Sequence, residues 1–167
     1  MNTKEIERFL HADAICRQVF QGVYSADTLP PNPSLLVCNT DPSTKPGLHW
    51  IVIHVDKNGR GEYFDSFGRA PNEYFESYMN KHCIVWTFNK KQLQSIISSF
   101  CGYYCCMFCM LSCRRVDMTR IVNMFTTDTG FNDCIAHSFV CNKSYWSLPT
   151  RVVVVAYSRL KTHCLHT

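Results

Sequence analysis

No apolar stretch in this 167-residue chain approaches the length of a membrane span. The first residues, MNTKEIERFLHADAIC, carry acidic residues on an amphipathic pattern instead of the basic-then-apolar plan of a secretory signal. The expectation is a soluble protein with no part in a membrane. Repeats, a linker and any segment of disordered composition are also missing, which predicts one domain over 1–167 with a single substantial core. Charge excess is small: 17 Lys and Arg against 13 Asp and Glu leave a formal net charge of +4. The basic residues form small clusters, at Lys90–Lys91, at Arg114–Arg115 with Arg120, and at Arg151 with Arg159 and Lys161. Each reads by default as a solvated face, and the counts alone do not establish nucleic-acid contact.

Cysteine is what the chain has in excess, with eleven residues. A disulfide scaffold would need a secretory context, and the odd count and absent signal argue against one. Cys101, Cys105, Cys109 and Cys113 recur every fourth residue on one helical face. Such a stripe climbs about 6 Å per step, too steeply for its members to converge on one tetrahedral zinc. Cys106 and Cys109 form a C-x-x-C with no second pair to complete a site. No metal or small-molecule cofactor is expected, and most of the thiols should be reduced and buried.

The pattern predicts an α+β fold, a central mixed sheet flanked by helices. Helices are expected over 4–14, with Ile6, Phe9, Leu10 and Ala14 inward and Thr3 as an imperfect cap, and over 71–79, 102–113, 117–125 and 131–140. Strands are expected over 34–38, 48–55, 62–65 and 83–88, with a strand-like run at 151–157. Residues 20–33, holding Gly22 and the LPPNP cluster, read as a loop, and DKNGRG at 56–61 as a turn. Along LHWIVIHV both faces are bulky, which marks a central strand with His49, Ile51, Ile53 and Val55 on one face and Trp50, Val52 and His54 on the other.

The stretch QSIISSFCGYYCCMFCMLSC, 94–113, carries the sharpest chemical signal. From Gly102 onward it has neither Pro nor a β-branched residue, which favours a helix and places Cys101 at its N-terminus. Free N–H groups and the positive end of the helix dipole favour a thiolate there, and Gly102 leaves space beside the sulfur for a carbonyl. The competing reading is plain burial, since free Cys is among the most buried residue types. Two histidines, His49 and His54, and two acids, Asp56 and Asp65, lie on or near the central strand. His49 stands at its start, where a side chain can reach a cleft. Asp65, in D-S-F-G, can accept an imidazole N–H, although an acid there is also an ordinary turn former. Gln94 can set a side-chain amide beside the Cys101 backbone N–H as an oxyanion donor.

The pieces Gly47-Leu48-His49-Trp50, Phe64-Asp65-Ser66-Phe67-Gly68, and Gln94 through Cys101-Gly102, in that order, resemble the adenovirus maturation protease (adenain) family of cysteine peptidases. That family is related in fold to the SUMO-specific proteases. The resemblance covers about residues 4–145 and leaves 146–167 unassigned. It implies a permuted papain-like core and thioester chemistry. His49 would act as base and then acid, Asp65 would orient it, Cys101 would attack, and Gln94 would stabilise the oxyanion. It also implies cleavage of viral precursor proteins at Gly-containing sites during virion maturation, in the virion and host nucleus, by a monomer. An activating viral peptide joined by a disulfide, and DNA, are further implied partners. Cys83, eighteen residues before Cys101, matches the peptide-pairing cysteine, and it reads equally as a core residue of a strand. Asp65 stands where adenoviral members carry Glu, as is usual in the SUMO-protease branch. An isopeptidase of the SUMO or ubiquitin-like class and a catalytically silent binding protein therefore stay open as alternatives.

Overall fold

The Ile–Val alternation of β3 (Trp50–Val55) makes it the strand that both layers of the molecule pack against. Its flanking partners are β2 (Leu35–Asn39) and β4 (Arg60–Phe64), both antiparallel to it. Outside these lie β1 (Phe20–Ser25), parallel to β2, and β5 (Val85–Phe88), parallel to β4. The five strands thus form one mixed sheet in chain order, with β1 and β5 at its edges. The computed structural model describes residues 1–142, and the fold of this part is α+β.

Alternation along the strands separates two cores. On one face Leu35, Val37, Val52 and Phe64 pack against α1 (Thr3–Ala12), α3 (Cys101–Cys113), α4 (Met118–Asn123) and α5 (Thr129–Cys141). On the other, Leu36, Cys38, Ile51, Ile53 and Tyr63 meet Phe75 and Met79 of α2 (Glu73–His82). Helix α3 is apolar all round because it is covered on every side, by β3, α1 and α5, with Phe108 stacked on Phe64 at 4.4 Å. Cys105, Cys106 and Cys109 are fully buried there as free thiols.

Several expectations are corrected. Residues 20–25 are a strand although the chain there reads as a loop: Gly22 and the LPPNP cluster after it suggest a break, but Phe20, Val23 and Tyr24 suit a strand, and the parallel pairing with β2 takes up the irregularity in a bulge at Phe20/Gly22. The cap of α1 is Asn2, not Thr3, in a box with Glu5. Strand β5 begins at Val85, because Cys83 still closes α2 through its N–H to the Met79 carbonyl. Arg114 is not part of a solvated basic cluster: it is buried and bidentate on Asp13 at 2.7 and 3.3 Å. The strand-like run at 151–157 and the cluster Arg151, Arg159 and Lys161 lie outside the described residues. Among the described residues no helix is long and apolar enough to cross a membrane.

Candidate active site

His49 precedes β3 by one residue, so strand alternation no longer dictates where its side chain goes. Its backbone is still held, the carbonyl accepting the Thr40 N–H at 3.0 Å. The ring turns to Asp65, with Nε2 2.6 Å from Oδ1. An ionised carboxylate only accepts, so Nε2 carries the hydrogen. The imidazole also lies against Phe67, ring centroids 4.8 Å apart.

Asp65 is the residue after β4, and it folds with the next three residues into a turn that fixes it. Its Oδ1 accepts the Phe67 N–H at 2.8 Å, and its carbonyl accepts the Gly68 N–H at 2.8 Å. Gly68 has φ +67°, and a Cβ there would meet the Lys91 backbone at 2.6 Å. Only glycine allows the turn to press this closely on 91–92. Asn89, buried at the end of β5, completes the cradle: Asp65 N–H donates to Asn89 Oδ1 at 2.9 Å and Asn89 Nδ2 donates to the Asp65 carbonyl at 2.7 Å.

Cys101 is the first residue of α3, after Phe100, whose side chain makes no capping bond. Its own N–H has no acceptor within the helix by virtue of that position. The Trp50 and Gly102 N–H groups and the His49 ring lie near enough to the sulfur to favour its charged form. Burial works against the thiolate, but these three partners together hold Cys101 below the usual thiol range. Burial likewise opposes the imidazolium, yet the hydrogen bonds of Asp65 and Cys101 outweigh it and raise His49 to about 9. Both shifts favour a thiolate–imidazolium pair. With Nε2 committed to Asp65, the nitrogen left for the sulfur is Nδ1, which is buried and without an ideally placed partner. Loose nucleophile–base geometry is usual before substrate binds. By contrast, burial pushes the thiols of Cys38, Cys105, Cys106 and Cys109 up, helped at Cys105 and Cys109 by the neighbouring thiols.

Of the residues singled out from sequence, His49, Asp65 and Cys101 come together. Gln94 is buried beside the turn after Asp65, and its Nε2 donates to the Ser98 carbonyl at 2.9 Å and to Ser98 Oγ at 3.2 Å. Cys83 lies half-buried at the end of α2, its sulfur over Gly61 of β4. His54 belongs elsewhere, paired with Glu62 across β3 and β4 at 3.2 Å, and Asp56 organises the turn before Arg60. The space beside Gly102 is filled, a Cβ there lying 2.9 Å from Met1 Cβ, so this glycine admits the N-terminal segment and not a substrate. Asn89 and Ser66 escaped the sequence reading, since neither an Asn at a strand end nor a Ser in a turn carries a distinguishing signal. A cleft of about 520 Å³ is lined by Met1, Tyr24, Asn39, Pro46, Gly47 and Trp50 among others, the last two flanking His49 in the chain, while His49, Asp65, Gln94 and Cys101 do not line it. Among the described residues no three His, Cys, Asp or Glu side chains converge to hold a metal ion.

No protein-family model matches the chain. It is 29% identical over 109 residues to a thiol protease of Acanthamoeba polyphaga mimivirus, a match covering 59% of this chain and 36% of that protein. It is also 29% identical over 91 residues to the protease of Frog adenovirus 1, covering 46% of this chain and 45% of that one. The matches thus span less than half the length of these relatives. The crystal structure of the ASFV protease superposes with a TM-score of 0.57 at 21% identity, covering 79% of this chain and 65% of that chain, which is a likeness of fold. The resemblance to adenovirus-type viral cysteine proteases is therefore shown by sequence relatives as well as by motif order.

Proposed function

We propose that the chain is a cysteine endopeptidase acting on viral precursor proteins at Gly-containing sites during virion maturation. The observation that carries this reading is a single imidazole bonded to Asp65 through Nε2 and close enough to the Cys101 thiol, at the N-terminus of a helix, for each to favour the other's charged form. The similarity to two viral proteases supports the reaction class. The cleft beside Gly47 and Trp50 is the proposed seat of the substrate strand.

In the proposed reaction the Cys101 thiolate attacks the scissile carbonyl carbon, and the oxygen takes the negative charge. The Cys101 backbone N–H and the Gln94 side-chain amide stabilise that oxyanion, the latter exchanging one of its bonds to Ser98 for the substrate. The C–N bond then breaks, the imidazolium gives its Nδ1 proton to the leaving amine, and a thioester to Cys101 remains. Neutral His49 next takes a proton from water, hydroxide adds to the thioester, and expulsion of the thiolate releases the acid and restores the ion pair. Asp65 stays ionised throughout and fixes the tautomer.

The test is mapped labelling by a Gly-Gly-derived thiol-reactive probe at pH 6, with and without DNA, on the parent chain and on His49→Ala. Expected is adduct formation at Cys101, lost in His49→Ala, because ordinary thiols are protonated at that pH. Labelling spread over the exposed Cys134 and Cys141, or indifferent to His49, would sink the reading. For the second partner, we propose that an activating peptide pairs with Cys83.

A further inference from the structure

Ser66 is fully buried, and its hydroxyl oxygen lies 2.6 Å from Gln94 Oε1. Which end of the Gln94 amide faces Ser66 follows from its other end. The Ser98 carbonyl oxygen, 2.9 Å away, can only accept, so the atom facing it is the nitrogen. The amide oxygen therefore faces Ser66, and the Ser66 hydroxyl must donate. The Ser66 backbone adds to this, its carbonyl accepting the N–H groups of Leu93 at 2.8 Å and Gln94 at 3.0 Å. One residue thus grips Gln94 by main chain and side chain at once, and that residue is covalently joined to Asp65.

We propose that Ser66 is a positioning residue for the oxyanion donor: its hydroxyl locks the Gln94 amide with the N–H edge turned toward the Ser98–Cys101 segment. The proposal rests on the protease reading, in which Gln94 serves the oxyanion. Its logic is directional. An amide presents donors on one edge and an acceptor on the other, and an oxyanion is stabilised by the first and repelled by the second. The acceptor-only Ser98 carbonyl sets which edge of the amide faces it, and the buried Ser66 hydroxyl, donating to Oε1, holds the amide so oriented in place. Through Ser66 the turn that carries the imidazole's orienter also carries the oxyanion donor, so both halves of the site move as one piece.

The experiment compares Ser66→Ala, Ser66→Thr and Ser66→Val, with Gln94→Ala and the double variant, on a peptide aminocoumarin amide ending in Gly-Gly. Alkylation of Cys101 by iodoacetamide is followed in parallel by mass spectrometry, since it needs the thiolate but no oxyanion hole. Ser66→Ala is expected to lower kcat about tenfold with KM nearly unchanged, short of the ~10²–10³-fold loss from deleting a donor outright. Its Cys101 alkylation rate and pH profile should match the parent, and it should cost nothing further on the Gln94→Ala background. Should the smaller side chain disturb folding, the Thr and Val variants, equal in shape, decide the matter: Thr should be the more active because it keeps the donor. Equal activity of Thr and Val, hydrolysis by Ser66→Ala within about threefold of the parent, or alkylation falling in step with hydrolysis overturns the proposal. If Gln94→Ala itself stays within about threefold, the oxyanion reading fails and this one with it. A large loss in Gln94→Ala beside an unaffected Ser66→Ala sinks the positioning role alone.

Discussion

The His49 imidazole sits between two groups that both favour its charged form, and burial is not enough to prevent it. That balance sets the working pH. In the proposed reaction turnover needs Cys101 ionised and His49 protonated, so the profile should be a bell. Its lower limb belongs to a thiol held below its usual range, and its upper limb lies near about 9, where the imidazolium loses its proton. The stability sign runs in two directions. His49, raised from 6.5, adds stability that is fully present below 6.5 and is lost as pH rises through about 9. Cys101, depressed, adds stability that is present above its unfolded value and is lost as pH falls through its folded one. Asp65→Asn leaves an acceptor for Nε2–H but removes the carboxylate charge that helps lift the imidazole. The upper limb should then move down, and the lower limb up as the thiolate loses its counter-ion, so that the bell narrows from both sides. A pH profile of kcat/KM checks this, and equal widths in the two proteins would remove Asp65 from its orienting role.

Elements differ in how far they show in the chain. The α3 helix was legible because twelve residues without Pro or β-branching leave little alternative, and its first residue is the one that chemistry needs. The proposed triad was read from the order of short motifs around His49, Asp65 and Cys101. Strand β1 was not, since Gly22 and the Pro cluster after it read as a loop, and the pairing with Leu35–Asn39 is not recorded locally. Asn89 and Ser66 were hidden for a related reason: each matters through a buried hydrogen bond to a residue more than twenty positions away, which no local pattern records. The edge strand β5 belongs to this scale too. Exposed Ile84 and Val85 sit beside Cys83, and one side of β5 lacks a partner strand among the described residues. An extended apolar peptide could pair with that edge and bring a thiol to Cys83. Burial holds the Cys83 thiol above its usual range, so capture should be slow without such docking. A synthetic peptide of alternating Val and Ser with one activated disulfide should link to Cys83, and raise turnover of the parent but not of Cys83→Ala. Linkage at exposed Cys134 or Cys141 instead, or equal activation of both proteins, dismisses the pairing.

At the scale of the whole molecule, the helix that offers Cys101 is anchored at its other end. Arg114, which closes α3, forks onto Asp13, which closes α1, at 2.7 and 3.3 Å, with both side chains almost entirely buried. Asp13 also accepts the N–H groups of Ile15 at 3.1 Å and Cys16 at 2.8 Å. Burial penalises its charge, and Arg114 with these N–H groups outweighs the penalty and holds the carboxyl below its usual range. The pair therefore contributes above the ordinary carboxylate range and is lost as pH falls through the depressed value. Replacing one partner leaves an uncompensated buried charge, so Arg114→Met should destabilise by about 3–5 kcal/mol. Replacing both, Asp13→Leu with Arg114→Met, removes the stranded charge and should recover much of that loss. Some twelve residues of helix separate Arg114 from Cys101, roughly 18 Å, which is beyond a Debye length at ordinary salt. Urea unfolding should accordingly show the loss while the rate of Cys101 alkylation below the transition stays that of the parent. A single variant as stable as the parent would mean that the pair does not anchor α3. A loss of Cys101 reactivity in step with stability would mean that α3 transmits strain along its whole length, and that the nucleophile depends on the far end of its own helix.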